Sequence, residues 1–261
     1  MSMPQIAITR QVSPAMNACE LSFHVRQPID IAKAMAQHRS YETSLTDFGL
    51  RLITLPAEPE LPDSVFVEDT ALVLDELAVI MNMGAASRRP EAATVAKALA
   101  PFRQLECLTA PATMDGGDVL LVDRTIFVGL SRRTNREAIE QLRELVSKYG
   151  YTVQAIEVAG CLHLKSACSY LGRGNVLVNS SWIDPMPLSE FRLIEVANNE
   201  PGGANVLRIG QYLIMPDSFP ETKRLLEAAG FALRTVDVSE LQKAEAGVTC
   251  CSLILNEISP S

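Results

Sequence analysis

The sequence has few histidines, few aromatic residues and no long apolar run. It contains 3 histidines among 261 residues, and phenylalanine, tryptophan and tyrosine together make up 5%. No stretch approaches the ~18 consecutive apolar residues that a membrane-spanning helix needs. The first residues, 1–5, contain no basic segment followed by an apolar run, so no secretory signal is predicted. These absences predict a cytoplasmic protein without a membrane partner.

The six cysteines form no Cys-x-x-Cys pair and are thinly spread along the chain. Disulfide frameworks belong to short secreted chains, so reduced thiols are predicted. Cys161, His163 and Cys168 could supply three zinc ligands, but their spacing fits no common zinc pattern. No metal site is therefore expected.

Acidic residues outnumber basic residues, 31 to 23, and the formal net charge is -8. This balance disfavours a nucleic-acid partner and is compatible with a cationic ligand. Apolar residues make up 48% of the chain and charged residues 21%, which is typical of a globular protein. Since no Gly/Ser tract divides the chain, we expect a single domain over 1–261.

Short β-branched runs alternate with longer amphipathic stretches along the chain. The runs are bounded by Gly, Pro, Asp or Asn, which predicts strands. The predicted strands are 5–9, 50–55, 71–74, 77–81, 119–122, 125–128, 153–158, 175–178, 206–209, 212–215, 232–236 and 252–255. The predicted helices are 31–48, 90–99, 135–149 and 220–229. Division of the chain by five leaves ~52 residues for each strand-strand-helix-strand unit, so an α/β fold with mixed sheets is predicted.

Two acidic clusters lie inside otherwise apolar segments. One contains Asp63, Glu68 and Asp69, and the other places Asp115 and Asp118 around a Gly-Gly turn. Burial of an unpaired charge is costly, so a cationic group should offset each cluster. That group is either a structural arginine or lysine, or a cationic substrate.

Two basic clusters lie between a predicted strand and a predicted helix, where α/β proteins place ligand-binding loops. One contains Arg88 and the other contains Arg133. Because arginine forms bidentate pairs with carboxylates, these residues could bind an anionic group. The alternative is that each is a solvated arginine at the start of a helix.

His163 and Cys250 are candidate reactive side chains. Around His163, alternation places Leu162 and Leu164 on one face of an extended segment and His163 on the other. Cys250 stands where a glycine turn leads into a strand, and a nearby imidazolium would lower its pKa and yield a thiolate nucleophile. The alternative is that Cys250 and Cys251 are both small buried side chains, and the local sequence does not choose between the two cysteines.

Five segments in order resemble motifs of the dimethylarginine dimethylaminohydrolase family, within the guanidine-modifying amidinotransferase superfamily. The segments are Pro-Asp-Ser-Val-Phe-Val-Glu-Asp at 62–69, Asp-Gly-Gly-Asp-Val-Leu at 115–120, Gly-Leu-Ser-Arg-Arg-Thr-Asn at 129–135, Leu-His-Leu-Lys-Ser at 162–166 and Gly-Val-Thr-Cys-Cys-Ser at 247–252. The resemblance runs from about residue 5 to residue 257. It implies a single-domain α/β propeller of five ββαβ modules with pseudo-fivefold symmetry and a central substrate channel.

The resemblance also implies roles for individual residues. Cys250 falls on the nucleophile, His163 on the general acid/base, and Asp115 on the carboxylate that completes the catalytic set. Seven further positions fall on substrate contacts. The guanidinium meets Asp69 and Glu68, the α-amino group meets Asp63 and the backbone of Ala244, and the α-carboxylate meets Arg88 and Arg133. Leu21 falls on the lid over the site.

The implied reaction is hydrolysis of asymmetric dimethylarginine or monomethylarginine to L-citrulline and a methylamine. The delocalised guanidinium is a poor electrophile, so attack needs a thiolate and carboxylates that orient the cation. The product of this attack is a covalent S-alkylthiouronium intermediate. His163 protonates the leaving amine and then deprotonates the attacking water. No cofactor is expected, and a homodimer is a possible assembly.

Two other functions remain open from the sequence. Arginine deiminases, a sister family, carry an acid two residues after the histidine, whereas this chain has Lys165 there. The missing acid leaves room for N-methyl groups, which favours methylated arginine over arginine. Agmatine has no carboxylate for Arg88 and Arg133 to bind, which disfavours agmatine as the substrate. The alternatives are an arginine or agmatine deiminase-like hydrolase, and a non-enzymatic thiol or zinc-binding protein.

Overall fold

The computed structural model describes residues 5–257. Residues 1–4 and 258–261 lie outside the described part, so the signal-sequence prediction and both ends of the predicted domain fall partly there. The described chain forms five three-stranded sheets. In each sheet the central strand pairs antiparallel with one neighbour and parallel with the other. The five predicted modules are therefore present.

The strands group into sheets in chain order, except that the last strand joins the first sheet. The first sheet contains β1 (Gln5–Arg10), β2 (Arg51–Leu55) and β15 (Leu253–Asn256), and the second contains β3 (Ala71–Val73), β4 (Leu77–Ile80) and β5 (Gln104–Cys107). The third contains β6 (Val119–Val122), β7 (Thr125–Leu130) and β8 (Thr152–Glu157). The fourth contains β9 (Cys168–Gly172), β10 (Asn175–Val178) and β11 (Arg192–Glu195), and the fifth contains β12 (Leu207–Ile209), β13 (Tyr212–Pro216) and β14 (Ala232–Val236).

The α-helices are α1 (Ile31–Asp47), α2 (Ala92–Leu99), α3 (Arg136–Ser147), α4 (Leu164–Ala167), α5 (Pro220–Ala228) and α6 (Ser239–Gln242). Short 3-10 helices occupy Met16–Ala18, Val67–Thr70, Ala86–Glu91, Gly116–Asp118, Met186–Leu188 and Pro201–Ala204. Among the described residues, no helix combines the length and the apolar character needed to cross a membrane.

Four modules contain the predicted helix between their two parallel strands. These helices are α1, α2, α3 and α5. The fourth module differs, because β10 and β11 are joined through the 3-10 helix Met186–Leu188 alone. Pro185 and Pro187 flank Met186, and proline lacks the N–H that an α-helix needs in its interior. The ββαβ pattern predicts an α-helix in every module, and in the fourth module a single 3-10 turn takes the place of that helix.

Local chemistry explains where the predicted helices begin and end. Asp30 caps α1, since its Oδ1 accepts the Lys33 N–H at 3.0 Å, and Asn135 caps α3 through the Ala138 N–H. Gly49 follows α1 with φ of 88°, a left-handed conformation that glycine adopts without strain. The helix predicted from residue 90 begins at Ala92, because the 3-10 helix runs to Glu91.

Three strands were missed from the sequence: β5, β9 and β11. β5 and β11 are outer strands whose residues are all partly or fully exposed, and each carries charged side chains. Half-exposed edge strands lack the apolar run that a buried strand shows. By contrast, β4 is central in its sheet and buried at all four positions, and it was predicted.

One strand of each sheet faces the centre of the molecule. These are the strands that pair antiparallel with the central strands, namely β3, β6, β9, β12 and β15. Among them, β15 contacts β3, and β9 contacts both β6 and β12. Equivalent strands of the modules therefore form an inner ring. Most of the predicted site residues belong to the segments that enter these strands, whereas Leu21, Arg88 and Arg133 follow the central strands β1, β4 and β7.

Candidate active site

His163 is held by Asp115. Its Nε2 lies 3.1 Å from Asp115 Oδ2, and Asp115 is fully buried. The other oxygen of that carboxylate, Oδ1, accepts the Gly84 N–H at 2.8 Å. The carboxylate is thus fixed by the backbone and in turn fixes the tilt of the imidazole ring.

The opposite edge of the imidazole faces Asp69, with Nδ1 at 3.8 Å from Oδ1. Burial alone would lower the pKa of His163, but Asp69, Asp118 and Asp115 oppose it and raise this pKa to about 9. The ring is therefore an imidazolium at neutral pH. A Cβ atom at Gly117 would lie 2.5 Å from His163 Nδ1, so this position needs glycine.

The predicted alternation around His163 is wrong. His163 precedes α4, a single helical turn, rather than lying within an extended segment. The turn is anchored by Asp118, whose Oδ1 accepts the Leu164 N–H at 2.9 Å and whose Oδ2 accepts the hydroxyls of Ser131 and Thr134. Burial raises the pKa of Asp118 to about 6. Sequence reasoning noted Asp118 but did not find this positioning role.

Cys250 lines the same cavity as His163. Its Sγ accepts the Gly247 N–H at 3.4 Å, and its carbonyl accepts the Glu68 N–H at 3.1 Å. Burial raises the pKa of Cys250 to about 12, assisted by the charges of Glu68 and Asp69. The empty site thus holds a thiol, whereas the sequence led us to expect a thiolate produced by the imidazolium alone.

Cys251 is separated from this chemistry. It is 1% exposed and belongs to an apolar cluster, and burial raises its pKa well above the ordinary range. Both cysteines lie in the turn that precedes β15. The difference between Cys250 and Cys251 comes from the turn itself.

Asp69 and Arg88 form a buried ion pair. Arg88 Nη1 lies 2.7 Å from Asp69 Oδ2, and Glu91 holds the same guanidinium at 2.9 Å. Burial opposes ionisation of Asp69, but His163 and Arg88 outweigh it and lower its pKa to about 2. Asp69 is therefore a carboxylate, and a structural arginine offsets part of its charge.

Arg133 is less completely satisfied. Its Nη1 has no hydrogen-bond partner in the described structure and lies 3.6 Å from Asp115 Oδ2. Its Nη2 lies 3.5 Å from Ser22 Oγ. Arg133 is 8% exposed and lines the cavity, so it is ready to bind an anionic group there.

The cavity brings most of the predicted residues together in a space of about 20 Å³. Seven predicted residues line it: Asp63, Asp69, Arg88, Arg133, His163, Ala244 and Cys250. Asp115 lies behind His163, and Leu21 packs against the same apolar cluster as Cys250 without lining the cavity. Glu20 and Glu245 line it and were missed, because neither stands in a recognised motif.

Glu68 does not line this cavity. Its carboxylate accepts Lys165 Nζ at 2.6 Å and Thr249 Oγ1 at 2.8 Å, and both of these residues also line a separate cavity of about 250 Å³. Burial raises the pKa of Glu68, and the Lys165 ammonium opposes that rise. The structure therefore pairs Glu68 with a lysine of this chain.

One group of three potential metal donors occurs among the described residues, namely Asp69, Asp115 and His163, whose donor atoms all lie within 4.8 Å of one another. Asp69 already pairs with Arg88, and the raised pKa of His163 disfavours the neutral imidazole that a metal needs. These two properties fit a proton-transfer site better than a metal centre.

The alternative zinc set of Cys161, His163 and Cys168 is not assembled in the described structure. The His163 ring is directed to two carboxylates instead, and the Cys161 thiol donates to the His163 carbonyl oxygen at 3.3 Å. Burial raises the pKa of both thiols to about 12, which disfavours thiolate ligands.

Comparisons with known proteins agree with this geometry. A family model described as "N,N dimethylarginine dimethylhydrolase, eukaryotic" matches residues 4–253. The N(G),N(G)-dimethylarginine dimethylaminohydrolase of Pseudomonas aeruginosa is 33% identical over 89% of this chain and 92% of its own length. The enzyme of the same name from Streptomyces coelicolor is 36% identical over 97% of each chain.

Solved structures show the same fold. The Pseudomonas aeruginosa enzyme, as a mutant complexed with citrulline, superposes with a TM-score of 0.92 at 30% identity over 98% of this chain and 100% of its own. The N-terminal domain of a cyanobacterial arginine dihydrolase has a TM-score of 0.84 at 17% identity, covering 97% of this chain and 98% of its own, which shows the fold alone.

The five-module propeller, with a cysteine, a histidine and buried carboxylates around one cavity, and the relatives that share it define a hydrolase that acts on C–N bonds. Within that class, the family match and the two bacterial relatives are specific. The chain belongs to the dimethylarginine dimethylaminohydrolase family.

Proposed function

We propose that this chain hydrolyses N-methylated L-arginines, namely asymmetric dimethylarginine and monomethylarginine, to L-citrulline and the corresponding methylamine. The observation that carries the proposal is the meeting of Cys250, His163 and Asp69 in one closed cavity, with Asp115 bonded to His163. Family membership and the citrulline complex of a structural relative support it.

Binding of the substrate follows from the charges that line the cavity. We propose that the guanidinium lies against Asp69, with its carbon directed to Cys250 Sγ. The α-carboxylate pairs with Arg133, whose Nη1 is unsatisfied, and with Arg88. The α-amino group meets Asp63 and the backbone of Ala244, both of which line the cavity.

The substrate cation itself activates Cys250. In the empty site the two neighbouring carboxylates and burial keep the thiol protonated. A guanidinium beside the sulfur offsets the charge of these carboxylates, so the thiol loses its proton to bulk solvent as the cation enters. The thiolate then attacks the guanidinium carbon, and an S–C bond forms.

His163 supplies and then removes protons. As an imidazolium, it protonates the leaving amine while the C–N bond breaks, and it becomes neutral. The neutral ring then takes a proton from the water that attacks the S-alkylthiouronium carbon. When this adduct collapses, the S–C bond breaks and the hydroxyl proton passes to the departing sulfur, so citrulline and the Cys250 thiol are formed. Asp115 keeps the ring oriented through both transfers.

A substrate panel tests this function directly. Citrulline release is measured with asymmetric dimethylarginine, monomethylarginine, arginine and agmatine, for the wild type and Cys250→Ser. We expect turnover of the two methylated substrates and none by Cys250→Ser. Faster turnover of arginine would support the deiminase alternative. Equal activity of wild type and Cys250→Ser would remove Cys250 from the mechanism.

A second variant separates the two half-reactions. We expect His163→Gly to stall turnover, because no group remains to activate water, and the adduct that forms by slow, unassisted loss of the amine to accumulate. Intact-protein mass spectrometry follows the adduct. Full turnover by His163→Gly would exclude His163 as the acid and base.

The assembly and location of this chain also belong to the proposal. A single domain over 1–261 and a cytoplasmic location are proposed from the sequence, which leaves the assembly open between a monomer and a homodimer. Limited proteolysis tests the first, since a single domain yields no stable fragment pair. Light scattering distinguishes a monomer from a homodimer.

A further inference from the structure

Glu245 binds three consecutive backbone N–H groups of segment 22–24, a stretch that follows the predicted lid residue Leu21. The Ser22 N–H lies 3.0 Å from both carboxylate oxygens, and the Phe23 and His24 N–H groups donate to Oε1. Hydrogen bonds to an ionised acceptor are about twice as strong as neutral ones. One side chain therefore fixes the backbone of this whole segment.

The backbone of Glu245 adopts a conformation that glutamate rarely takes. Its φ is 61°, in the left-handed region, where the Cβ atom crowds the following carbonyl. Glycine would adopt this conformation without strain. Strain that persists at a residue beside a ligand cavity indicates that its side chain has a specific task there.

Glu245 stands between two cavities. It lines the catalytic cavity of about 20 Å³ together with His163 and Cys250. It also lines a neighbouring cavity of about 370 Å³, whose walls include Phe23, Trp182 and others. Phe23 and His24, whose N–H groups donate to Glu245, line this larger cavity, so segment 22–24 lies at the border between the two cavities.

Few other contacts hold this segment. Among the described residues, Glu245 alone accepts hydrogen bonds from the backbone N–H groups of 22–24. The Ser22 hydroxyl lies 3.5 Å from Arg133 Nη2, and the Arg132 guanidinium lies 5.2 Å from the Phe23 ring centre. The preceding Glu20 N–H is held separately, by Asp63 Oδ2 at 3.0 Å.

We propose that Glu245 is a positioning residue that latches segment 22–24 at the border between the catalytic cavity and its larger neighbour, and so controls substrate entry and product release. The expected effect of this latch on the kinetics rests on the proposed function. While the latch is closed, the substrate is held against Cys250 and shielded from bulk water. Release of the three N–H groups opens the cavity toward its larger neighbour.

Amide hydrogen exchange of the full-length protein, followed residue by residue, tests the latch without catalysis. In Glu245→Ala we expect exchange at Ser22, Phe23 and His24 to accelerate by at least about tenfold, while the Glu20 amide keeps its protection. Unchanged exchange at all three amides would overturn the proposal. Acceleration at Glu20 to the same extent would also overturn it, since the effect would then not be local.

Kinetics with asymmetric dimethylarginine test the consequence. We expect KM to rise about tenfold in Glu245→Ala with kcat equal to or above the wild-type value, because an open lid retains substrate poorly and releases product readily. A merely structural role predicts a lower melting temperature and lower kcat with unchanged KM. That result would contradict the latch.

Two further variants separate the side chain from the backbone strain. Glu245→Gly removes both the carboxylate and the backbone strain. We expect its KM to rise as much as in Glu245→Ala, and its melting temperature to be higher than that of Glu245→Ala. Glu227→Gln, an exposed helix carboxylate paired with Lys223, is the matched control and should leave exchange and KM unchanged. If the wild type fails to hydrolyse methylated arginines, the proposed function fails, while the exchange result still decides the latch.

Discussion

Lys165 Nζ lies 2.6 Å from Glu68 Oε1, with the lysine side chain 16% exposed and the glutamate side chain 10% exposed. The Glu68 N–H also donates to the Cys250 carbonyl. The position that carries a second guanidinium-binding acid in the sister family thus carries a cation here. That cation compensates a carboxylate beside the nucleophile, so of the two neighbouring acids Glu68 and Asp69 only Asp69 lines the catalytic cavity.

Replacement of Lys165 by methionine should damage both stability and activity. The substitution leaves Glu68 buried without its partner, and loss of one member of a buried pair costs about 3–5 kcal/mol. We expect a lower melting temperature and at least about a tenfold loss of kcat/KM, because the uncompensated charge further disfavours the Cys250 thiolate.

The double variant Lys165→Met with Glu68→Gln distinguishes charge from packing. Removal of both charges should restore much of the melting temperature that the single variant loses. Lys223→Met, at an exposed pair on α5, is the control for loss of a lysine. Additive losses in the double variant would show that the two side chains do not act as a pair.

The two neighbouring cysteines should respond differently to serine. Cys250→Ser should abolish citrulline release, whereas Cys251→Ser should keep activity within about a few-fold, with some loss of stability from placing a hydroxyl in an apolar cluster. Steady-state assays on both variants decide this. Loss of activity in Cys251→Ser with normal folding would assign Cys251 a chemical role.

The empty enzyme should react slowly with thiol reagents near neutral pH. A thiol whose pKa is about 12 gains thiolate about tenfold for each pH unit up to that value. The rate of Cys250 alkylation by iodoacetamide should therefore rise steadily from pH 7 to pH 10, as measured by peptide mapping. Exposed Cys107 reports reagent access in the same sample. A plateau of the Cys250 rate below pH 9 would contradict a protonated resting thiol.

Stability should depend on pH through His163. Its folded-state pKa of about 9 is above the ordinary unfolded value of about 6.5, so protonation stabilises the fold fully below pH 6.5 and progressively less up to pH 9. The free energy of unfolding of the wild type, relative to His163→Asn, should fall by about 1–3 kcal/mol across that window.

Denaturant titrations at several pH values measure this difference. Asp118, with a pKa of about 6, titrates mainly below this window. Glu91, with a pKa of about 7, titrates inside the window, but it is present in both proteins and its pKa is not set by His163, so its effect largely cancels. A wild-type advantage that grows between pH 6.5 and pH 9 would have the wrong sign for an imidazolium held by Asp69 and Asp115.

Local sequence was sufficient to predict α1, α2, α3 and α5 to within about two residues, whereas the single-turn helices α4 and α6 were not predicted. The five motifs also predicted most of the side chains that line the cavity, although Glu68 lies outside it. The outer strands β5 and β11 could not be predicted, because mixed polar composition at a sheet edge resembles a loop.

Other features depend on distances between segments that are far apart in sequence. The pairing of Lys165 with Glu68 spans 97 positions, and the hold of Glu245 on Ser22 spans 223. The protonation of Cys250 depends on burial and on carboxylates from another module. No local pattern encodes these relationships. The sequence therefore predicted a thiolate at Cys250, whereas the structure indicates a thiol, which the substrate cation activates in the proposed reaction.

Rapid-quench mass spectrometry of the full-length enzyme mixed with asymmetric dimethylarginine tests the central claim most directly. The account predicts that the peptide containing Cys250 transiently carries the arginine-derived group without its dimethylamine, and that this species decays as citrulline appears. Citrulline formation with no modification of Cys250 at any time, or with the adduct on another residue, would contradict it.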